Sequence, residues 1–397
     1  MKILHVITGL NVGGAENMLA KLIENDSRSQ TQHVLSLLKP GPLAERITAA
    51  GATVHTLGMK RGLPTIGAAR RLMRLVKKLG PDVLHGWMYH GNLAVTYAQF
   101  ASRSDMPTIW NIRHSLENAQ RETLRTRALL AISRRLSHRP RAIVYNSTAS
   151  AAQHEVHGFS TAQRTVIPNG FDCSLFRPDP GAREKVEALF GIPAGRPIIG
   201  CIARFHPMKG HANLVAAATI AMQQGSDFHL LMVGHGLAEP PDDLRKMIEK
   251  LPSGRVTTSD ARLDVAEWLP GLDILVVPSG WGEAFPNVIG EAFSCGVPVI
   301  STDVGDSRAI VGPAGEIVPP EDPEALAAAI ARMLELSGEE RSRLGLAGRE
   351  RIVDNYSLNA ITEHYERLYR EVSSNRANRT ANANRGEHSV GNSNTLS

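Results

Sequence analysis

The stretch GEAFPNVIGEAFSCGVPVIST, Gly282–Thr302, sets two carboxylates, Glu283 and Glu291, eight positions apart across a Phe-Pro-Asn turn. Proline lacks an amide hydrogen, so Pro286 and Asn287 suit the first turn of a helix, and Gly296 suits its end. That predicts a helix over about Asn287–Cys295. The unpaired amides at its start, around Phe285, Pro286, Asn287 and Val288, suit a phosphate or sugar oxygen. Glu291 then falls inside the helix among Ile289, Gly290, Ala292 and Phe293. A carboxylate is costly there without donors. The paired hydroxyls of a ligand would serve, and so would a cation on a neighbouring helix. A second constellation is CIARFHPMKGHANLV, Cys201–Val215, where Arg204 and Lys209 stand five residues apart on a loop closed by Gly210. Two fixed cations can clamp a diphosphate, Arg as a planar fork and Lys as a mobile point charge. They also fit a plain surface loop. Gly13 and Gly14 in ITGLNVGGAENMLAKL let a backbone approach a ligand closely, or simply make a tight turn. Asn11 breaks the dinucleotide fingerprint. In NIRHSLEN, Arg113 and His114 are expected to project from a strand end into a cleft.

These residues need strands behind them. Short β-branched runs alternate with helical patterns throughout. Strands are expected at Ile3–Ile7, His33–Leu38, Thr53–Leu57, Val83–His85, Thr108–Ile112, Ala142–Tyr145 and Thr165–Ile167. A second series follows at Ile198–Ile202, His229–Val233, Arg255–Thr257, Ile274–Val277, Val297–Ser301 and Gly315–Val318. The pattern is that of parallel sheets covered on both faces, an α/β class with two doubly wound domains in tandem. Ligands of such sheets bind beyond the carboxyl ends of the strands, so two facing domains make a cleft. A Pro- and Gly-dense region at Asp179–Pro197 marks the boundary. The domains are expected at 1–180 and 190–350, with a polar, disordered tail over 373–397.

Composition excludes several classes. The 397 residues are 42% hydrophobic and 21% charged, as in an ordinary globular protein. No run reaches the ~18 apolar residues of a membrane span. The apolar start reads as a first strand and not as a signal peptide. Three dispersed cysteines, Cys173, Cys201 and Cys295, fit neither a disulfide framework nor a zinc site. They point to reduced thiols in the cytoplasm. The net charge of +5 hides an asymmetry: residues 1–180 carry 23 Lys+Arg and 11 Asp+Glu, a balance of +12, which leaves −7 for the remainder. A basic half suits an anionic acceptor or an anionic membrane surface.

In order along the chain, Gly13 and Gly14, VIPNGFD, RFHPMKG and EAFPNVIGEAFSCGVPVISTDVGD resemble the retaining nucleotide-sugar glycosyltransferases of family 4. The likeness runs to about Val372. WNIRHS and FPNV resemble members that build bacterial surface polysaccharides. The resemblance implies the GT-B fold, with two Rossmann-like domains, the first for the acceptor and the second for the donor. It implies that Arg204 and Lys209 hold the donor diphosphate, Glu291 the ribose hydroxyls and Glu283 the transferred sugar. Amides around Phe285–Val288 would face the donor, with Gly13 and Gly14 over the diphosphate and His114 near the sugar. It implies a hexosyltransferase without a metal or other cofactor, and no nucleic-acid partner. A final helix, 357–372, would return to the first domain, with Ile361, Tyr365 and Leu368 on one face.

The acceptor would be lipid-linked or a growing glycan. The basic amphipathic stretches Lys60–Gly80 and Arg121–Arg141 are able to rest on the inner face of a membrane, or to face solvent. Two rival readings remain at this level: a sugar-nucleotide epimerase of the same fold, and a non-catalytic sugar-nucleotide-binding module. The E-x7-E arrangement argues against the first, and the intact Arg204, Lys209, Glu283 and Glu291 against the second.

Overall fold

The computed structural model describes residues 1–60, 65–103, 105–117 and 123–390, with Gln30 and 375–390 described in backbone only. The first sheet comprises β1 (Ile3–Ile7), β2 (Gln32–Ser36), β3 (Thr53–Thr56), β4 (Val83–Trp87), β5 (Thr108–Ile112), β6 (Ala142–Tyr145) and β7 (Arg164–Val166). The second comprises β8 (Ile198–Ile202), β9 (His229–Val233), β10 (Val256–Ser259), β11 (Ile274–Val277), β12 (Val299–Thr302) and β13 (Gly315–Val318). Between the first strands lie α1 (Gly14–Glu24), α2 (Leu43–Ala49), α3 (Ile66–Leu79), α4 (Met88–Ser102), α5 (Leu124–Leu136) and α6 (Thr148–Val156). The second half adds α7 (Ala182–Phe190), α8 (His211–Gln223), α9 (Asp242–Ile248), α10 (Val265–Trp268), α11 (Asn287–Ser294) and α12 (Ser307–Val311). It closes with α13 (Pro323–Glu335), α14 (Gly338–Tyr356) and α15 (Leu358–Val390).

All pairings are parallel, in the orders β3-β2-β1-β4-β5-β6-β7 and β10-β9-β8-β11-β12-β13. The strand order reverses between β1 and β4 and again between β8 and β11. These are the two switch points where doubly wound sheets bind ligands. The central strands are apolar and fully buried because helices cover both faces. On the first sheet α1, α2 and α15 cover one face, and α3, α4 and α6 the other. Ile361, Tyr365, Leu368, Tyr369 and Val372 of α15 are buried with β1, β4 and β5.

Two expectations change. Phe171, Phe176 and Val186 are buried in the core of the second sheet, so the chain crosses near Asn169–Gly170 and not at Asp179–Pro197. The Pro and Gly of that later region flank α7, which belongs to the second domain. The return crossing lies beside the first: Phe171 N–H donates to Tyr356 O at 2.9 Å and Leu358 N–H to Phe171 O at 2.8 Å. The segment expected to be disordered from 373 instead continues α15 to Val390. The polar stretch keeps the helical register of the apolar-faced turns before it. Residues 391–397 lie outside the described residues, as do 61–64 and 121–122 of the two basic stretches, whose remaining parts form α3 and α5.

Candidate active site

The second switch point holds a cavity of about 290 Å3. Lys209, Ser279, Glu283, Glu291 and the residues from Phe285 to Val288 line it. Lys209 arrives on the single turn that links β8 to α8. His206 caps that turn, its Nδ1 accepting from Met208 N–H at 3.2 Å. Gly210 then reverses the chain with φ +67°, where a Cβ would meet Pro278 O at 1.8 Å. Gly210→Ala is therefore expected to cost about 3 kcal/mol or more. A thermal melt should show the second domain's midpoint lowered by roughly 6–12 °C.

The Lys209 ammonium forms an ion pair with Glu283 Oε1. Ser279 Oγ donates to the same oxygen at 2.9 Å. Glu283 is thus held from β11's own loop and from the turn after β8. Glu291 is placed differently. It points from α11 into the cavity, and among the described residues no hydrogen bond or ion pair meets its carboxylate. Burial raises its pKa, and Lys21 of α1, across the cleft, draws it back in part. The ion pair to a neighbouring helix that the sequence left open is absent among the described residues. The helix begins at Asn287, as its Pro-Asn start implies. Gly290 lets the Phe171 ring lie against α11, since a Cβ there would stand 2.2 Å from that ring.

Arg204 follows β8 but is exposed and outside the lining of this cavity. Gly13 and Gly14 open α1 at the first domain's switch point. The Glu16 carboxylate folds back over Gly13, and burial raises its pKa. His114 follows β5. Its Nδ1 lies 3.3 Å from Tyr89 Oη, which lies 2.8 Å from His154 Nε2. His154 Nδ1 faces the Ser150 carbonyl at 2.8 Å and must be the donor there. The hydrogen bonds then run one way: Tyr89 O–H donates to His154 Nε2, and His114 carries its proton on Nδ1. Burial lowers the His154 pKa to about 3, so the relay stays neutral.

Arg113 does not project into the cleft. It donates to Asn169 Oδ1, to Asn111 Oδ1 at 3.2 Å and to Tyr365 Oη at 3.0 Å, and its guanidinium lies 5.9 Å from the Trp87 ring centroid. Its role is to fasten Asn169, whose Nδ2 donates to Asn287 Oδ1 at 2.5 Å. The start of α11 is thereby tied to the first domain. Three more bonds join the domains. Gly282 N–H donates to Glu117 Oε2 at 2.6 Å, which brings the His114 loop against the Glu283 loop. Asp306 accepts from the Thr148 and Ala149 amides at 2.8 and 2.9 Å. Sequence reasoning passed over Glu16, Tyr89, His154, Glu117 and Asp306. Only the DVGD stretch after β12 carried a signal, as the continuation of the E-x7-E segment.

Two facing Rossmann-like domains, each with its candidate residues at its switch point, define a GT-B glycosyltransferase. The family model described as Glycosyltransferase Family 4 matches residues 12–175, and that described as Glycosyl transferases group 1 matches residues 196–336. The putative glycosyltransferase EpsF of Bacillus subtilis is 29% identical over 318 residues, spanning 76% of this chain and 79% of that one. A D-inositol 3-phosphate glycosyltransferase of Mycobacterium tuberculosis is 28% identical over 242 residues, 58% of this chain and 48% of its own. Among solved structures, Anabaena HepE in complex with UDP and glucose superposes with a TM-score of 0.80 at 21% identity, covering 94% of this chain and all (100%) of that one. The chain belongs to glycosyltransferase family 4, and it is an enzyme of the glycosyltransferase class.

Proposed function

We propose that the protein is a retaining hexosyltransferase that takes its sugar from a UDP- or GDP-sugar. The acceptor is lipid-linked or a growing glycan of a surface polysaccharide, met at the inner face of the membrane. The observation that carries the donor reading is the cavity at β8 and β11. It joins one cation, a paired carboxylate, a helix start and a half-buried, unpartnered carboxylate within one small volume. UDP, glucose and UDP-glucose in the HepE structures support a nucleotide-sugar donor, and the name of EpsF, a putative glycosyltransferase, agrees with the transfer reaction. No helix among the described residues is long and apolar enough to cross a membrane.

The proposed chemistry assigns each group a task. The acceptor oxygen attacks the anomeric carbon on the face the leaving group departs from. The bond from that carbon to the phosphate oxygen breaks, and the nucleoside diphosphate leaves with the electron pair. The acceptor proton passes to the leaving phosphate oxygen. Lys209 and the α11 amides face the charge that develops there, and Arg204 adds a weaker, solvent-screened contact from the exposed loop after β8, so the reaction runs without a metal. Glu283 holds a sugar hydroxyl, Glu291 takes the ribose hydroxyls, and His114 stands near the sugar. Gly13 and Gly14 lie over the diphosphate once the domains close.

Incubation with a panel of sugar nucleotides and membrane extract, reading nucleoside diphosphate release and the product's anomeric configuration, tests this. Release without a glycosylated product, or an inverted product, overturns it. Glu291→Ala is expected to raise donor KM by about 10- to 100-fold, the worth of hydrogen bonds to a charged group. Its kcat should stay within about threefold, because ribose contacts act equally in ground and transition states.

A further inference from the structure

An apolar pocket of about 400 Å3 opens on the first domain. Leu37, Leu57 and Met59 reach it from just beyond the carboxyl ends of β2 and β3, and Leu93 and Tyr97 from α4. It therefore opens at the same edge of the sheet as Gly13, Gly14 and His114. A groove of about 760 Å3 shares Leu93 and Tyr97 with it and continues along α4 and α5 to Phe100. The volume is that of a small-molecule site, but the lining has little to offer a sugar. Thr65 Oγ1 is spent on capping α3, accepting from Ala68 N–H at 3.2 Å. His90 and Tyr97 are the other polar side chains in the lining, and burial lowers the His90 pKa.

The surroundings are as one-sided as the lining. α3 carries Arg70, Arg71, Arg74, Lys77 and Lys78, and α5 carries Arg125, Arg127, Arg134 and Arg135; neither helix has a carboxylate. Between them α4 bears no Lys, Arg, Asp or Glu. Apolar side chains stay exposed on this face: Ile66 at 74% and Phe100 at 74%. Asp105, at the far end of the groove, stands beside Arg103 and Arg139. At the pocket's edge Arg71 Nη2 donates to the carbonyl of Leu57 at 2.9 Å. A dry slot with a cation at its edge and two basic helices beside it selects an apolar chain that ends in a negative charge.

We propose that this pocket binds the apolar chain of an anionic lipid that carries the acceptor, a prenyl or acyl chain joined through phosphate to the sugar being extended. The proposal rests on the transferase reading of the cleft and chooses a lipid-linked acceptor over a free glycan. The pocket holds the chain, Arg71 at its edge meets the phosphate, and the sugar lies toward the sheet edge that faces the donor.

The test is direct binding to the full chain with farnesyl diphosphate as the probe, beside farnesol, inorganic diphosphate and phosphatidylglycerol vesicles. Farnesyl diphosphate is expected to bind at least tenfold more tightly than inorganic diphosphate or farnesol. Ala94→Phe and Ala69→Phe fill the pocket from half-buried helix positions. Each is expected to weaken farnesyl diphosphate at least tenfold while leaving UDP binding and the thermal midpoint unchanged. Equal binding of farnesyl diphosphate to the wild type and both variants overturns the proposal. So does vesicle binding that survives both variants with no binding of farnesyl diphosphate, which would make this face a membrane-docking surface only. Failure to bind UDP- or GDP-sugars, with farnesyl diphosphate still bound, would count against the donor assignment and leave the pocket standing.

Discussion

Lys209→Ala is expected to lower kcat for sugar transfer by about 10²- to 10³-fold, the ~3–4 kcal/mol that one preorganised donor contributes at a developing anion. The effect should be large because Lys209 is the one cation lining the donor cavity among the described residues. Arg204, its partner in the expected clamp, is exposed and outside that lining, and so screened by water. Without substrate, the Lys209 ammonium is held by Glu283. An incoming diphosphate competes for it, and Ser279 Oγ keeps Glu283 supplied when the ammonium turns away. Alanine removes the charge and leaves Glu283 in a confined cavity with one neutral donor. Donor KM should move less than kcat, because the diphosphate gains most of its charge as the bond breaks. Lys209→Arg keeps the charge on a rigid fork that does not fit a single-point contact, so it should recover only part of the rate. Single-turnover transfer with a saturating donor measures the chemical step, and a melting curve shows whether the fold is intact. Unchanged kcat in Lys209→Ala would remove the lysine from the reaction and with it the proposed geometry of the cavity.

The sequence carried far more of this cavity than of its surroundings, and the reason is the range over which each signal acts. Glu283, Glu291, Lys209 and the Pro-Asn start of α11 sit on loops fixed by neighbours a few positions away. Proline, glycine and a short buried strand suffice to place them. All thirteen strands are legible for the same reason, to within a few residues at their ends. Arg113 shows the limit. A cation at a strand end reads as cleft-facing, but Tyr365 on α15, 252 positions later, captures it together with Asn169. The Glu117–Gly282 and Asp306–Thr148 bonds span 165 and 158 positions. No local pattern encodes such pairs. The boundary was misplaced for a related reason. Pro and Gly mark every loop, whereas the crossing is marked by which core buries Phe171. The same physics ties the site to the fold: the side chains that hold α11 against the first domain also belong to the packing of α15.

Acidification from pH 7 to pH 5 is expected to destabilise the first domain by about 4 kcal/mol and the second by about 2 kcal/mol, from three buried histidines alone. Burial lowers the pKa of His5 to about 4, of His154 to about 3 and of His211 to about 4, from an ordinary value near 6.5. The folded pKa therefore lies below the unfolded one. Between the two, the unfolded chain binds the proton and the native chain does not. Stability is unaffected above about pH 6.5 and falls as the pH falls through that value. It levels off only below the folded pKa. At pH 5 each such histidine costs about 2 kcal/mol. His5 and His154 belong to the first domain and His211 to the second. His85, packed beside His5 in the first domain and shifted the same way, adds to the imbalance. Desolvation keeps His5 neutral against the pull of Gln32 Oε1, 2.6 Å from Nε2, and of the Asp26 charge, both of which favour the protonated ring; the Trp87 indole N–H donates to Nδ1 at 3.1 Å. With both ring nitrogens engaged, added charge would have to be solvated in the core. Three carboxylates act in the opposite direction. Burial raises the pKa of Glu16, Glu291 and Asp306, so the native chain binds their protons first and gains stability as the pH falls. Two of these three lie in the second domain, which widens the difference. Urea titrations at pH 7 and pH 5 resolve it, because Trp87 and Trp110 report on the first domain and Trp268 and Trp281 on the second. His154→Gln removes one titrating ring, and its loss of stability between the two pH values should be smaller by about 2 kcal/mol whatever its stability at pH 7. A first domain that unfolds at the same urea concentration at both pH values would mean that these rings reach water in the native state. The neutral Tyr89–His154 relay that fixes the His114 tautomer would then fail with them.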